Sequence, residues 1–256
     1  MEIIVCVKQT FDSEEKIVMK DGSIAEDDVK YVMNPYDEYA VEEAIRQKEQ
    51  HGGNVTVITV GPDRTESVLR TALAMGADQA VRIWDEQLAD ADEYVLSQVL
   101  AAAIRRNHFD LILAGYMAID SGAGQGGPRL AEELDIAHSA AAVKLSIQGR
   151  QAVVERDAEG DVEVIEAALP LLVTAQQGLN EPRYPSLPGI MKAKRKPIER
   201  LNCSDLGIKP DQLANRTVVV EQMLPPARKA GQMLSGTVAE MAGELISKLK
   251  SEDKVI

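Results

Sequence analysis

The feature that most constrains this chain is a regular alternation, through its first half, of short apolar runs with longer amphipathic stretches. Ile3 to Val7, Val55 to Val60, Ala80 to Trp84 and Leu111 to Ala114 are short, largely apolar and rich in β-branched residues. Runs of that length read as strands buried on both faces. Between them, apolar residues recur at helical spacing. One helix starts near Asn34-Pro35 and carries Ala40, Val41, Ala44 and Ile45 as a single stripe. Glu42, Glu43, Arg46 and Lys48 are expected to face water, and Gly52-Gly53 stops the helix. A second, capped by Thr65, sets Val68, Leu69, Ala72 and Leu73 on one side and ends at Gly76. A third, from about Asp92 to Arg106, turns Val95, Leu96, Val99, Leu100, Ala103 and Ile104 inward. Strand and helix in alternation predict a parallel sheet covered on both faces.

In such a sheet the loop after the fourth strand is a natural place for a ligand. Between Asp110 and Glu133 the strand runs into Gly115, Gly122, Gly124, Gly126 and Gly127. A helix from Pro128 to Leu134 is then expected, with proline near its first position and acids in its first turns. Loop amides and a helix start converging on one turn suit a phosphate. The spacing matches neither GxGxxG nor GxxxxGK[ST], so on spacing alone a phosphate cradle and a mobile crossover loop stand level. After Ala137 the pattern changes. Ala141 to Ile147, Gln151 to Asp157 and Val162 to Ala168, separated by glycine turns, predict an antiparallel meander, and Pro170 to Ala175 one more buried strand. Asp12 to Asp28 is a polar excursion with a turn at Asp21-Gly22.

Composition excludes several functions. A net charge of -13 argues against general nucleic-acid binding. No window approaches the ~18 apolar residues of a membrane span, and the start, MEIIVCVK, does not read as a secretory signal. Cys6 and Cys203 make neither a disulfide framework nor a zinc site. The histidines His51, His108 and His138 are scattered, and no triad spacing or P-loop lysine is present. A cytoplasmic chain without catalytic or metal-ligating residues is expected. Against this acidic background, Asn180 to Pro197 holds four prolines and the cations Arg183, Lys192, Lys194, Arg195 and Lys196. Such a run is either a solvated loop or a docking surface for acidic partners, with Leu187, Ile190 or Met191 as its apolar anchor. Beyond it, Leu201 to Leu213 reads as loop and Arg216 to Gln222 as an edge or donated strand. A last helix, about Gly236 to Leu249, has an apolar stripe that needs a surface to pack on, such as a partner subunit.

Together the motifs resemble the beta subunit of electron transfer flavoprotein, most of all the subunits of Gram-positive bacteria. The resemblance covers essentially the whole chain. It rests on VCVKQT (residues 5–10), MNPYDEYAVEEAIRQKE (33–49), RTALAMGAD (70–78), AGYMAID with the following Gln and Gly-Pro (114–128), and TAQQGLNEPRYPSLPGIMKAKRKPIE (174–199). It implies a doubly wound parallel sheet of the adenine-nucleotide α-hydrolase-like type, with a small antiparallel meander and an extended C-terminal arm. The implied organisation is a nucleotide-binding domain over residues 1–179, a recognition loop and helix over 180–200, and an arm over 201–256 that packs on an alpha subunit. The heterodimer of this family carries one redox-active FAD, held mainly by alpha, and a structural AMP in beta. It is an electron carrier rather than an enzyme, accepting electrons from acyl-CoA dehydrogenases, as in fatty acid beta-oxidation, and passing them to a quinone oxidoreductase.

The resemblance also implies positions. The AMP contacts fall on Cys6, on Asn34, Pro35, Tyr36 and Asp37, and on Val60. They continue through Ala118, Ile119, Asp120, Ser121, Gly122, Ala123, Gly124, Gln125, Gly126, Gly127, Pro128 and Arg129. Read without the family, Asn34 is a helix cap and Cys6 a small buried hydrophobe. The recognition loop's anchor is Leu187, with Pro188, Ile190, Met191, Lys192 and Lys194 around it. Two departures stand out. The family's loop often has acids where this chain reads AIDSGAGQGG, and Gly122 and Gly126 here lack side chains. Some relatives place an aromatic ring against the flavin at about Ser13, where only Phe11 is near. Other relatives bind a second FAD in beta and split electron pairs. NPYDEYAVEEA resembles the non-bifurcating type, while Gly127-Pro128 occurs in both. A stand-alone adenine-nucleotide-binding protein on the same fold is the alternative from another class.

Overall fold

The computed structural model describes residues 1–20, 22–25, 29–226, 230–252 and 255; Asp21, half of the expected Asp21-Gly22 turn, lies outside them. The main sheet has nine strands. In chain order they are β1 (Glu2–Cys6), β2 (Asn54–Val60), β3 (Gln79–Ile83), β4 (Leu111–Gly115), β5 (Ala137–Gln148), β6 (Gln151–Ala158), β7 (Asp161–Ala168), β8 (Leu171–Ala175) and β9 (Glu199–Leu201). The helices are α1 (Pro35–His51), α2 (Glu66–Met75), α3 (Glu93–Ile104), α4 (Gly126–Leu134), α5 (Leu187–Ala193) and α6 (Val238–Ser251).

Across the sheet the order is β7-β6-β5-β8-β4-β1-β2-β3-β9. From β9 to the first half of β5 the pairing is parallel, and β5, β6 and β7 complete it as antiparallel hairpins. The meander therefore extends the main sheet rather than standing apart from it. Alternation along each inner strand between two cores explains why those strands are mostly apolar on both faces. Ile3, Val5, Leu111, Leu113, Leu171 and Val173 join a core with α1 and α2, whereas Ile4, Ile112 and Leu172 join a second core with α3 and α4. Each such side chain contributes ~1.5–3 kcal/mol by leaving water. Winding runs from β1 outward through β2 and β3, then crosses back to β4 on the other side of β1. That reversal opens a crevice at the carboxyl ends of β1 and β4, the usual ligand position in such folds.

Several local expectations are corrected. Glu42 and Glu43 do not face water; they are buried, because residues 180–183 lie over that side of α1. The Arg183 guanidinium donates to Glu42 at 2.8 and 3.1 Å and to Glu49 at 2.7 and 3.0 Å. The Asn180 amide donates to Glu43 at 3.2 Å and to the Tyr39 carbonyl at 3.0 Å. Thr65 ends a short 3-10 turn and its hydroxyl donates to the Pro62 carbonyl at 2.8 Å instead of capping α2. α4 begins at Gly126, two residues early, and its first turn carries no acid. Gly127 permits this, since a Cβ there would stand 2.4 Å from Thr174 Cγ2. No strand forms over 216–222.

Contacts divide the chain into two compact units, one of residues 1–18 with 24–220 and one of residues 19–23 with 221–256. The second contains α6, whose start is fixed by a capping box in which Thr237 and Glu240 exchange side-chain-to-backbone bonds. Among the described residues no helix is long and apolar enough to cross a membrane, and no group of three or more histidines, cysteines or acids is placed to hold a metal ion.

Candidate functional site

The crevice at the sheet's reversal widens into a cavity of about 810 Å³. Its floor is the ends of β1, β2 and β4, including Cys6, Ile58, Val60 and Ala114. One wall is the glycine loop with the first turn of α4, from Tyr116 to Ala118 and then Ser121 and Ala123 to Gly127. The first N–H groups of a helix have no partner within it, so this wall offers unpaired donors to an anion. A third side is formed by Ala89 to Glu93 and by Leu96, Ser97 and Leu100 of α3, and a fourth by Asn215 and Thr217 to Val219.

Two buried polar residues hold the floor and the glycine wall together. The Asp37 carboxylate accepts from the Lys8 N–H at 2.6 Å, the Gly115 N–H at 3.0 Å and the Asn34 amide at 3.0 Å. Gly115 is required at that approach, because a Cβ would stand 2.3 Å from Asp37 Oδ1. The Asn34 amide also donates to the Met117 carbonyl at 2.9 Å, and its oxygen accepts from the Ile119 N–H at 3.2 Å. Asn34 makes no side-chain cap to α1; one amide hydrogen goes to Asp37 in the helix's first turn and the other ties the helix start to the loop. Burial pushes the Asp37 pKa up to about 7, against the pull of the hydrogen bonds from Lys8, Asn34 and Gly115. Burial, with Asp37 adding to it, lifts the Cys6 thiol to about 12, so Cys6 is a neutral, small apolar surface. At the rim, Lys8 Nζ meets Asp120 at 2.8 Å.

Of the positions expected to touch a nucleotide, Cys6, Asn34, Asp37, Val60, Ala118, Ser121 and Ala123 to Gly127 line the cavity. Pro35, Tyr36, Ile119, Asp120, Gly122, Pro128 and Arg129 do not. Tyr36 packs edge-on against Tyr116, and the Arg129 guanidinium is spent on Gln125 Oε1 at 2.9 and 3.1 Å. Sequence reasoning missed the α3 side. Its only signal was a wide inward stripe, in which Leu96 and Leu100 line the cavity, Leu100 while also packing on the core. Phe11 stacks on Tyr31 with centroids 5.2 Å apart, and the Arg64 guanidinium lies 4.1 Å over the Tyr31 ring; Ser13 is exposed nearby.

A second feature stands away from the cavity. α5 sits on α2 so closely that a Cβ on Gly189 would stand 2.5 Å from the Ala74 carbonyl oxygen. Ser186 caps α5 through the Gly189 N–H, and Arg70 donates to the carbonyls of Ala193 and Lys196. Above this base Leu187 is 80% exposed, with Met191, Ile190, Pro188, Lys192 and Lys194 also in water. Arg183 and Lys196 are not free cations of this surface: Arg183 is held by Glu49 and Glu42, and Lys196 Nζ donates to the Ala77 carbonyl at 2.6 Å.

Comparison with known proteins places the chain in a family. The model of the electron transfer flavoprotein domain matches residues 21–206. The chain is 55% identical to the electron transfer flavoprotein subunit beta of Bacillus subtilis over 100% of both chains. It is 40% identical to the caffeyl-CoA reductase-Etf complex subunit CarD of Acetobacterium woodii, over 98% of this chain and 99% of the relative. It is 36% identical to the mouse electron transfer flavoprotein subunit beta, over 100% of this chain and 99% of the relative. With a family match across most of its length and end-to-end likeness to such relatives, this chain belongs to the electron transfer flavoprotein family, as a beta subunit.

Proposed function

We propose that the cavity at the ends of β1 and β4 permanently holds AMP, and that the chain, joined to an alpha subunit that carries most of the FAD site, moves electrons from acyl-CoA dehydrogenases and related flavoenzymes to a quinone oxidoreductase. One observation carries the AMP reading: a cavity large enough for a mononucleotide faces the unpaired amides of the glycine loop and α4, with Asn34 and Asp37 locking that loop in place. Gly124 to Gly127 would receive the phosphate through backbone N–H groups. Cys6 and Val60 would meet the nucleoside as apolar surface. AMP here completes the fold and takes no part in the redox step; FAD, when bound, supplies the electron-accepting chemistry. The beta chain's own tasks are to order the nucleotide site and to present the α5 surface, with Leu187 as anchor and Lys192 and Lys194 guiding an acidic partner.

A second reading puts another FAD in the same cavity. The volume leaves room beyond a mononucleotide, and one relative is named as a subunit of a caffeyl-CoA reductase complex. Counting decides between them. The chain co-purified with its alpha subunit is denatured and the released nucleotides are separated by chromatography. One FAD and one AMP per heterodimer is the expected result; two flavins and no AMP would establish the second reading, and no AMP with a single flavin would refute both.

A further inference from the structure

The fourth wall of the cavity comes from a stretch that neither the strand ends nor the glycine loop explains. Residues 215–219 belong to no strand or helix, yet they are fastened to the start of α3 by an unusual concentration of polar contacts. Asp92, the N-cap of α3, divides its two oxygens between two tasks. Oδ1 accepts from the Val95 N–H at 3.0 Å and caps the helix. Oδ2 accepts from the Arg216 N–H at 2.6 Å, the Thr217 N–H at 2.9 Å and the Thr217 hydroxyl at 3.1 Å. Asn215 answers from the other side, its oxygen accepting from the Asp92 N–H at 3.0 Å and its amide donating to the Asp90 carbonyl at 2.6 Å. The Arg216 guanidinium completes the fastening 5.0 Å over the Tyr94 ring. Burial pushes the Asp92 carboxyl up, but these donors outweigh it and leave it below its ordinary value.

What this fastening holds in place is apolar. Val218 and Val219 line the cavity while remaining 83% and 74% exposed. Clamping two valines in water beside a cavity gains nothing from the protein's own packing. It gains a great deal if a ligand is to be covered. Charge indicates which half of the ligand that is. The α3 side of the cavity carries Asp90, Asp92 and Glu93, which repel a phosphate, while the glycine loop offers amides. The phosphate belongs to the loop, and the uncharged nucleoside belongs under the valines.

We infer that Asn215–Val219 is a binding element of the nucleotide site: a strap, latched by the Asp92 carboxylate, that covers the nucleoside half of the bound mononucleotide and sets the rate at which it leaves. Asp92 is then a positioning residue. This inference rests on the nucleotide reading given above, and it adds that retention depends on a segment remote in sequence from the phosphate loop.

The test uses the full chain with its alpha subunit, loaded with radiolabelled AMP and chased with excess unlabelled AMP. Asp92→Ser keeps an N-cap oxygen for Val95 but is too short to reach the strap as well. The double variant Asn215→Ala with Thr217→Val removes strap contacts while leaving Asp92 and the α3 cap untouched. Each lost hydrogen bond accounts for roughly a two- to tenfold change, so both variants should release label at least about tenfold faster. Amide hydrogen exchange over 216–219 should be slower in AMP-loaded than in AMP-stripped protein. Release from the double variant at the wild-type rate, or exchange indifferent to AMP, overturns the strap while leaving the nucleotide reading intact. Wild-type protein that, once stripped of its own nucleotide, takes up no label overturns the nucleotide reading itself. Should Asp92→Ser fail to fold, the double variant carries the test alone.

Discussion

Asp37→Asn tests the physical account of the cavity floor most directly. Asp37 is only 4% exposed, and burial raises its pKa from 3.8 to about 7 despite its donors. Between those two values the folded chain keeps a proton that the unfolded chain has released. Raising the pH across that window therefore removes stability; below about 4 and above about 7 the contribution is flat. Each tenfold in proton affinity corresponds to about 1.4 kcal/mol, so the whole window is worth on the order of 4 kcal/mol. Asparagine has nearly the same shape and does not titrate. Its amide would turn one donor toward the Lys8 N–H, which costs ~1–3 kcal/mol at every pH. Other groups titrate alike in both proteins and cancel in the difference. Urea unfolding of the nucleotide-free wild type and variant, stepped from about pH 4 to about pH 8, should show the wild type ahead by ~1–3 kcal/mol at the acid end and falling by up to about 4 kcal/mol relative to the variant by the neutral end, where it is level with or behind it. A difference independent of pH, or a wild type that gains on the variant as pH rises, would refute the reasoning.

Three further outcomes follow from the same geometry. Gly115→Ala drives a Cβ to 2.3 Å from Asp37 Oδ1 and 2.8 Å from Tyr36 Cβ, so it should cost ~1–3 kcal/mol by overpacking and abolish AMP retention, read as nucleotide content and melting temperature. Arg183→Ala removes the guanidinium from Glu42 and leaves it Arg46 at 3.0 Å and the backbone N–H of residue 183 at 3.1 Å; a loss of ~1–2 kcal/mol and faster proteolysis within 180–196 are expected, and protease resistance equal to wild type would dismiss the Arg183 side-chain tie to α1. Leu187→Ala removes a side chain that is 80% exposed, so stability should move by no more than ~0.5 kcal/mol. Reduction of the heterodimer by a dehydrogenase should slow by about tenfold or more; an unchanged rate would rule out Leu187 as the anchor.

The inner strands were legible because burial on both faces makes them mostly apolar, with threonines and Arg82 as the buried exceptions. Their helices followed from period and caps, with ends displaced by a residue or two. Glu42 and Glu43 were misread for a reason internal to the method: a helical wheel separates apolar from polar, but it does not know that Arg183 and Asn180, some 140 positions later, supply partners for buried acids. Asn34 failed in the same way. Its position before a proline signals a cap, but its amide bonds to Met117, 83 positions away. At the site, the glycine loop announced itself by composition, whereas residues 215–219 have no periodicity at all. Asp92 was readable only as a helix start, since what its second oxygen holds lies 124 and 125 positions further along.

The seating of α5 on α2 has a consequence for how partners would be chosen. Leu187 stands in water on a backbone pinned from beneath by Gly189, Ser186 and Arg70. Much of the ordering cost of an interface was therefore met when the chain folded. An incoming protein would close on a shape that already exists, and its binding energy would go into recognition rather than into organising a loop. Selectivity and brevity then become compatible: the contact patch can be small enough to release quickly and still reject a surface that lacks a matching hollow.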